Sequence, residues 1–268
     1  MEIGDGEDDP YRIPSPPPII LPPPLPPIRI VRDSIISFLG YIIVTFLLVI
    51  AGVIAALVTG AISTTPGANF TLSAGWIVGF LLVSELTFLG FGILLRWWYR
   101  VKGHTLQRLF GGNPVSAILI GIAVGIGMAG IGTLHAMLAT KLFGKASTQA
   151  MEEVMETLFS LKDNPLWVAV LVFTIAVLAP LCEEYFFRAA IFSSVRSTQK
   201  AWAGAIVSSI LFAAAHLNPT MITYYLLFGL TMCWLLTKTR TMAAPIAAHM
   251  TVNTVACIAV LLSPPAGK

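Results

Sequence analysis

The chain has 268 residues, of which 56% are hydrophobic and only 11% are charged, whereas a typical soluble domain carries roughly 25% charged residues. Its mean hydropathy of +0.84 is too high for a chain that covers its core with a wetted surface, and the net charge of +3 is not gathered into a basic stripe. These figures exclude a soluble enzyme, a disordered protein and a nucleic-acid-binding protein. They indicate an integral membrane protein.

Residues 1–33 differ sharply from the rest of the chain and are interpreted as a cytoplasmic tail. Five acidic residues are followed by a proline-dense stretch from Pro14 to Pro27. Such a stretch adopts an extended polyproline II conformation and cannot pack a core. The tail is either a spacer ahead of the membrane, which we favour, or a ligand for a partner that binds polyproline II.

Long apolar runs follow the tail and predict an all-α, polytopic membrane helix bundle. A helix that crosses about 30 Å of hydrocarbon needs about 20 residues, and seven runs qualify, although two short ones between 201 and 237 leave an eighth span or a re-entrant segment open. A segment over 145–163 is predicted to form an amphipathic surface helix. The predicted membrane helices are 34–60, 75–98, 114–142, 164–196, 201–217, 219–237 and 242–263.

The basic residues between these helices predict the orientation of the chain. With the N-terminus inside, the inner segments hold twelve Lys and Arg residues and the outer segments hold four. Cytoplasmic loops carry the excess of Lys and Arg, so the N-terminus is predicted inside and the C-terminus outside. We expect a multi-pass protein of a prokaryotic cell membrane.

The densest group of ionisable residues within a predicted membrane helix lies at 183–188. Such residues are expensive in hydrocarbon and are therefore functional-site hypotheses by default. Glu184 and Arg188 are spaced i, i+4, which predicts an ion pair on one helix face. Glu183 lies about 100° round the helix and is left free to act. Alternatively, both glutamates only neutralise arginines on other helices.

A histidine on the next predicted helix lies at a matching depth. If a cytoplasmic turn lies near 197–200, Glu183 and His216 both stand roughly 21–24 Å from it on antiparallel neighbours. A carboxylate and an imidazole at the same depth can share a water molecule. In the last helix, His249 and Asn253 are spaced i, i+4 and share one face. Their donors can stabilise an oxyanion, an effect of roughly 10²–10³ in rate.

Glu85 is an intramembrane acid without an obvious partner in the sequence. We favour a bond to a neighbouring helix over a place in the lining of a substrate cavity. The third predicted helix is rich in glycine, which allows helix backbones to approach closely. These glycines are Gly121, Gly125, Gly127, Gly130 and Gly132.

Taken in chain order, three patterns resemble the motifs of the CPBP family of intramembrane proteases. They are EExxxR at 183–188, FxxxH at 212–216 and HxxxN at 249–253. The family includes the type II CAAX prenyl endopeptidases and Abi-like proteins linked to bacteriocin processing and self-immunity. The resemblance predicts catalytic helices over 160–263, preceded by N-terminal helices and the amphipathic segment over 34–159.

The resemblance implies an intramembrane endopeptidase that hydrolyses a peptide bond in a membrane-associated protein or peptide. Glu183 and His216 would activate a water molecule, while His249 and Asn253 would stabilise the oxyanion. Whether the substrate is prenylated is left open, because family analogy alone does not fix specificity. The residues expected to support this site are Glu184, Arg188 and Phe212.

The metal dependence of the predicted site has two interpretations. Members of the family have been described both as metalloproteases and as metal-independent glutamate-type proteases. The preferred interpretation has no metal and no other cofactor. In the alternative, Glu183, His216 and His249 hold Zn²⁺ with one position open, although the chain contains no HExxH motif.

Two functions from other classes compete with the protease. A non-catalytic immunity or scaffold protein would bind a partner, but it gains nothing from an unpaired glutamate at membrane depth. A proton-coupled transporter would use the buried acids and histidines, but the two halves of the chain lack the internal repeat that many transporters carry. We therefore favour the protease and retain the non-catalytic protein as the alternative.

Overall fold

The computed structural model describes residues 26–59, 74–103, 111–144 and 164–262. Within these ranges the chain is helical and contains no β-strand. Most of the proline-rich tail and the predicted surface helix over 145–163 lie outside the described residues. The helices are α1 Pro27–Val58, α2 Ala74–Val101, α3 Pro114–Phe143, α4 Pro165–Thr198, α5 Ala201–Ala215, α6 Pro219–Thr239 and α7 Ala243–Leu262.

The described helices confirm the predicted polytopic bundle. Six of them are long and apolar enough to cross a membrane, and the protein is a multi-pass integral membrane protein. The exception is α5, whose 15 residues span about 22 Å of a hydrocarbon layer about 30 Å thick. A single helix of this length is too short to cross the layer. The inside position of the N-terminus stays a prediction.

The first helix begins earlier than the sequence analysis predicts. It starts at Pro27 rather than near residue 34, because proline in the first helical turn loses no hydrogen bond and already has a helical φ. Its 32 residues extend over about 48 Å, so α1 is longer than the hydrocarbon layer. Arg29 and Arg32 lie in these first turns, where the side chains can reach the membrane surface.

Helices α3 and α7 pack closely because α3 has glycine at the contact. A Cβ atom on Gly121 would lie 2.4 Å from the carbonyl oxygen of Ala244, and one on Gly125 would lie 2.6 Å from that of Ala248. Any side chain at these positions would force the two helices apart. Gly127, in contrast, faces open space with no atom within 4 Å. The predicted packing role of the glycines therefore holds for one face of α3.

Helix α4 lies at the centre of the bundle and packs against α2 and α5. The ring of Phe186 lies 5.4 Å from that of Phe88 on α2, and the ring of Phe187 lies 5.2 Å from that of Phe212 on α5. All four rings are buried. Tilted and edge-to-face aromatic pairs at these separations stabilise a core beyond their buried area. This aromatic core fixes α4, and with it the EExxxR motif.

Candidate active site

The predicted ion pair within α4 is present and fully buried. Arg188 Nη1 lies 3.0 Å from Glu184 Oε1, and neither side chain is exposed. The guanidinium carbon of Arg188 also lies 4.5 Å from the ring centre of Phe212, a distance typical of cation–π contacts. No guanidinium nitrogen of Arg188 has a hydrogen bond within the described residues. The pair is therefore held by electrostatic attraction, and the ring of Phe212 packs against it.

His249 of α7 joins the same group. Its Nδ1 lies 2.9 Å from Glu184 Oε1, and its Nε2 lies 3.9 Å from Glu183 Oε2. A carboxylate that Arg188 neutralises accepts hydrogen bonds, so Nδ1–H of His249 donates to it. In the neutral ring, Nε2 then holds the lone pair. The sequence analysis assigned Glu184 to Arg188 alone and missed this second partner.

Glu183 keeps one oxygen without a partner. Its Oε2 is buried and makes no hydrogen bond within the described residues, although the side chain retains 13% exposure. A buried carboxyl oxygen without a partner is destabilising unless a ligand or a water molecule supplies a donor. The Oε2 atom of Glu184 is also buried without a hydrogen bond within the described residues, but its Oε1 contacts both Arg188 and His249. Glu183 differs from Glu184 in having no arginine partner within the described residues, as the helix spacing predicts.

His216 lies at the end of α5, and the register of α4 and α5 sets its depth. The hydroxyl of Ser208 donates to the carbonyl oxygen of Phe187 at 2.8 Å, two turns before His216. Because α4 and α5 are antiparallel, this contact places His216 about two turns N-terminal of Phe187, at the level of 180–183. The turn between the two helices lies at 199–200, within the predicted stretch.

The tautomer of His216 follows from its backbone contact. Its Nδ1 lies 2.9 Å from the carbonyl oxygen of Phe212. A carbonyl oxygen only accepts, so Nδ1 carries the hydrogen and Nε2 of the neutral ring holds a lone pair. Leu217 follows with φ at 48°, a left-handed conformation that is unusual for leucine, and the chain turns there towards α6.

Two aromatic residues of α6 surround the histidines. The ring of Tyr225 stacks on His216 with centroids 3.9 Å apart, and the ring of Phe228 meets His249 edge-on at 4.8 Å. The sequence analysis did not single out either residue. Aromatic residues are common in membrane helices, and nothing in their spacing marks these two.

Asn253 contacts the backbone of α4 rather than another motif side chain. Its Nδ2 donates to the carbonyl oxygen of Ile175 at 2.8 Å. Ile175 lies in a wide, π-helical turn over Thr174–Leu178, and turns of this kind occur frequently at functional sites. The carboxamide nitrogen has two hydrogens, so one remains available. Asn253 and His249 were expected to act together, and both lie on α7 beside α4.

Glu85 of α2 is buried, with 7% of its surface exposed. Its Oε2 makes no hydrogen bond within the described residues, and its carboxyl group interacts electrostatically with that of Glu183. We favoured a bond from Glu85 to a neighbouring helix, but this oxygen has no such bond within the described residues.

The alternative zinc site requires three ligands that converge. Among the residues that the structure describes, no group of three or more His, Cys, Asp or Glu side chains is arranged to hold a metal ion. Glu183, His216 and His249 as placed therefore do not fit a three-ligand site. The cysteines are single, free and buried.

Comparison with known proteins places the three motifs within one matched region. Residues 165–255 match the family model described as "Type II CAAX prenyl endopeptidase Rce1-like", and all three motifs lie inside this range. The match confirms the family resemblance that the motifs predict. No solved structure matches the chain.

Three bacterial relatives match parts of the chain. The "Putative membrane peptidase YdiL" of Bacillus subtilis is 25% identical over 108 residues, which are 40% of this chain and 40% of the relative. The "Membrane-embedded CAAX protease MroQ" of Staphylococcus aureus is 32% identical over 111 residues, 38% of this chain and 43% of the relative. The "Uncharacterized 24.3 kDa protein" of Escherichia coli is 42% identical over 77 residues, 28% of this chain and 35% of the relative. The chain thus spans less than half the length of the curated relatives it matches.

Proposed function

We propose, from this family match and the geometry of the motifs, that the chain is an intramembrane endopeptidase. It hydrolyses a peptide bond in a membrane-associated protein or peptide. The observation that carries the proposal is the buried Oε2 atom of Glu183, which has no partner within the described residues and lies 3.9 Å from His249. A carboxylate in this state inside the membrane is destabilising. A role in activating water would explain why the chain has one there.

Glu183 and His216 activate the water molecule in this proposal. The free Oε2 of Glu183 and the lone pair on Nε2 of His216 both accept protons. The water oxygen attacks the carbonyl carbon, and the O–H proton passes to one of these acceptors. The C–N bond then breaks, and the same proton moves to the departing amine.

Asn253 and His249 stabilise the oxyanion that forms during the attack. The second hydrogen of the Asn253 carboxamide is available, because the first is bound to the carbonyl oxygen of Ile175. His249 donates from Nε2 only when the ring is protonated, since Nδ1–H is already bound to Glu184. Removing one such donor typically lowers the rate by about 10²–10³.

The surrounding helices support this chemistry inside the bilayer. Arg188 neutralises Glu184, which in turn orients His249. The ring of Phe212 packs beside both histidines, 4.5 Å from the ring of His216 and 5.9 Å from that of His249. In this proposal, the substrate approaches the site laterally from lipid.

The test uses the source cell with this gene deleted and complemented. Wild type, Glu183→Gln and the control Ser209→Ala are expressed at matched membrane levels, and the protein termini of the membrane fraction are compared by mass spectrometry. Ser209 is a suitable control because its buried hydroxyl also lacks a partner but lies outside the proposed site.

We expect wild type and Ser209→Ala to restore one set of cleaved termini, and Glu183→Gln to restore none. The recovered peptides then identify the substrate and show whether it is prenylated. If Glu183→Gln restores the same termini, the glutamate is not catalytic. The non-catalytic immunity or scaffold function would then be favoured.

A further inference from the structure

Glu85 lies outside the matched region, and yet it has the same unusual chemistry as Glu183. Both glutamates keep a buried Oε2 atom that makes no hydrogen bond within the described residues. A polar group left in this state is destabilising, and more so when it is charged. The Oε2 atom of Glu184 is a third such oxygen, but that carboxyl group is paired with Arg188 through Oε1. Neither Glu85 nor Glu183 has an arginine partner within the described residues, and one shared donor would satisfy both of their oxygens.

The packing of α2 on α4 brings the two glutamates within about one helical turn of each other. The ring of Phe88 on α2 lies 5.4 Å from the rings of both Phe186 and Phe187 on α4. Glu85 precedes Phe88 by three residues, and Glu183 precedes Phe186 by three residues. Residues spaced i, i+3 share a helix face, so each glutamate lies one turn from this contact on the packed side.

A second contact shows that the two helices run in the same direction. Further along α2, the guanidinium of Arg96 donates to the carbonyl oxygen of Ala189 on α4. Contacts therefore advance in the same direction along both chains, and a Cβ atom on Gly92 of α2 would lie 3.3 Å from the Cα atom of Phe186. With Gly92 opposite Phe186, Glu85 lies about one turn from the level of Glu183, and the two carboxyl groups interact electrostatically.

Two ionised carboxyl groups both accept hydrogen bonds, so a donor placed between them would satisfy both. A water molecule has two O–H groups and can fill this place. Buried waters typically bridge polar groups that would otherwise stay unsatisfied.

We propose that Glu85 is a positioning residue that, together with Glu183, binds the water molecule consumed in hydrolysis. This inference rests on the proposed function. One O–H of the water donates to Glu85 and the other to Glu183, which aims a lone pair of the oxygen at the peptide carbonyl. During the attack, the O–C bond forms and the O–H directed at Glu183 breaks. Glu183 is then the first acceptor of the proton, and Nε2 of His216 takes it from Glu183 on its way to the departing amine. The O–H directed at Glu85 stays intact.

The test compares Glu85→Leu, Glu85→Gln and the control Thr87→Val in purified protein reconstituted into lipid nanodiscs. Thr87 is a matched control, because it lies two residues away and its hydroxyl bonds only the carbonyl oxygen of Val83 in its own helix. The probe is a synthetic peptide that carries the cleavage site recovered from the comparison of termini. Initial rates give kcat and KM, and thermal unfolding gives Tm.

We expect Glu85→Leu to lower kcat about 100-fold, because a misplaced reacting group has an effect of that size, and to leave KM unchanged. Its Tm should equal or exceed that of wild type, because the substitution removes an unsatisfied buried group. In Glu85→Gln the amide oxygen still accepts the water O–H, so kcat should stay within about tenfold of wild type. Thr87→Val should behave as wild type.

Two results would overturn the inference. If Glu85→Leu lowers Tm and leaves kcat unchanged, Glu85 holds α2 to a neighbouring helix; if only KM rises, it contacts the substrate. Glu183→Gln in the same assay separates this inference from the proposed function. An inactive Glu183→Gln beside a fully active Glu85→Leu refutes the role of Glu85 alone, whereas an active Glu183→Gln refutes the proposed protease mechanism.

Discussion

Replacement of Arg188 by methionine tests the buried ion pair most directly. Methionine has a similar length and leaves no large cavity, so the change removes the charge while the packing is largely kept. Glu184, which is fully buried, would then keep only the hydrogen bond from His249 Nδ1 at 2.9 Å. Removing one partner of a buried pair typically lowers the free energy of unfolding by about 3–5 kcal/mol.

The double variant Glu184→Gln, Arg188→Met separates charge from packing. It removes both charges, and the amide oxygen of glutamine can still accept the hydrogen bond from His249. Replacing a whole buried ion pair by neutral groups is often close to neutral for stability. We therefore expect the double variant to be more stable than Arg188→Met alone by at least about 2 kcal/mol.

The assay is denaturant unfolding in detergent micelles, followed by circular dichroism. Arg196→Met is the matched control, since Arg196 is a half-buried arginine on α4 that bonds the hydroxyl of Thr237 at 3.2 Å. Its replacement should lower the free energy of unfolding by about 1 kcal/mol. The reasoning is refuted if Arg188→Met destabilises no more than this control, or if the double variant is less stable than Arg188→Met.

Further substitutions probe the roles proposed for the remaining motif residues. His216→Ala should lower kcat by at least about 10²-fold with Tm unchanged; altered substrate preference at full rate would show that it only lines the site. Asn253→Ala should lower kcat about 10²–10³-fold, and an unchanged kcat would remove it from the oxyanion site. Gly125→Ala should lower both Tm and activity, because its Cβ would lie 2.6 Å from the carbonyl oxygen next to His249, whereas Gly127→Ala should lower neither. Treatment with 1,10-phenanthroline should leave cleavage of the synthetic peptide unchanged; loss of activity that Zn²⁺ restores would favour the metal alternative.

The sequence was sufficient to predict the helices and most of their bounds. An apolar run of about 20 residues forms a helix in lipid, because a helix hydrogen-bonds its backbone N–H and C=O groups internally and lipid offers them no other partner. The runs predicted at 114–142 and 242–263 correspond to helices at Pro114–Phe143 and Ala243–Leu262. The start of α1 at Pro27 was missed, because the proline-dense stretch that ends at Pro27 was interpreted as part of an extended tail.

Within one helix, the sequence also predicted which motif residues meet. The Glu184–Arg188 contact follows from 3.6 residues per turn, and the same geometry leaves Glu183 on another face. Equal depth for Glu183 and His216 was predicted by counting residues to a turn, and the structure has that turn at 199–200. These are local rules, which need no knowledge of how the helices pack.

The contacts between helices were decided by the tertiary structure alone. His249 reaches Glu184 across 65 residues of sequence, and the ring of Tyr225 stacks on His216, but no spacing rule predicts either contact. Glu85 could be marked as unusual from the sequence, but its position near Glu183 depends on how α2 packs against α4. Rotation and register of one helix against another are set by interlocking side chains and by glycines that allow close approach. The sequence therefore determined which residues carry the chemistry, and packing determined which of them share a site.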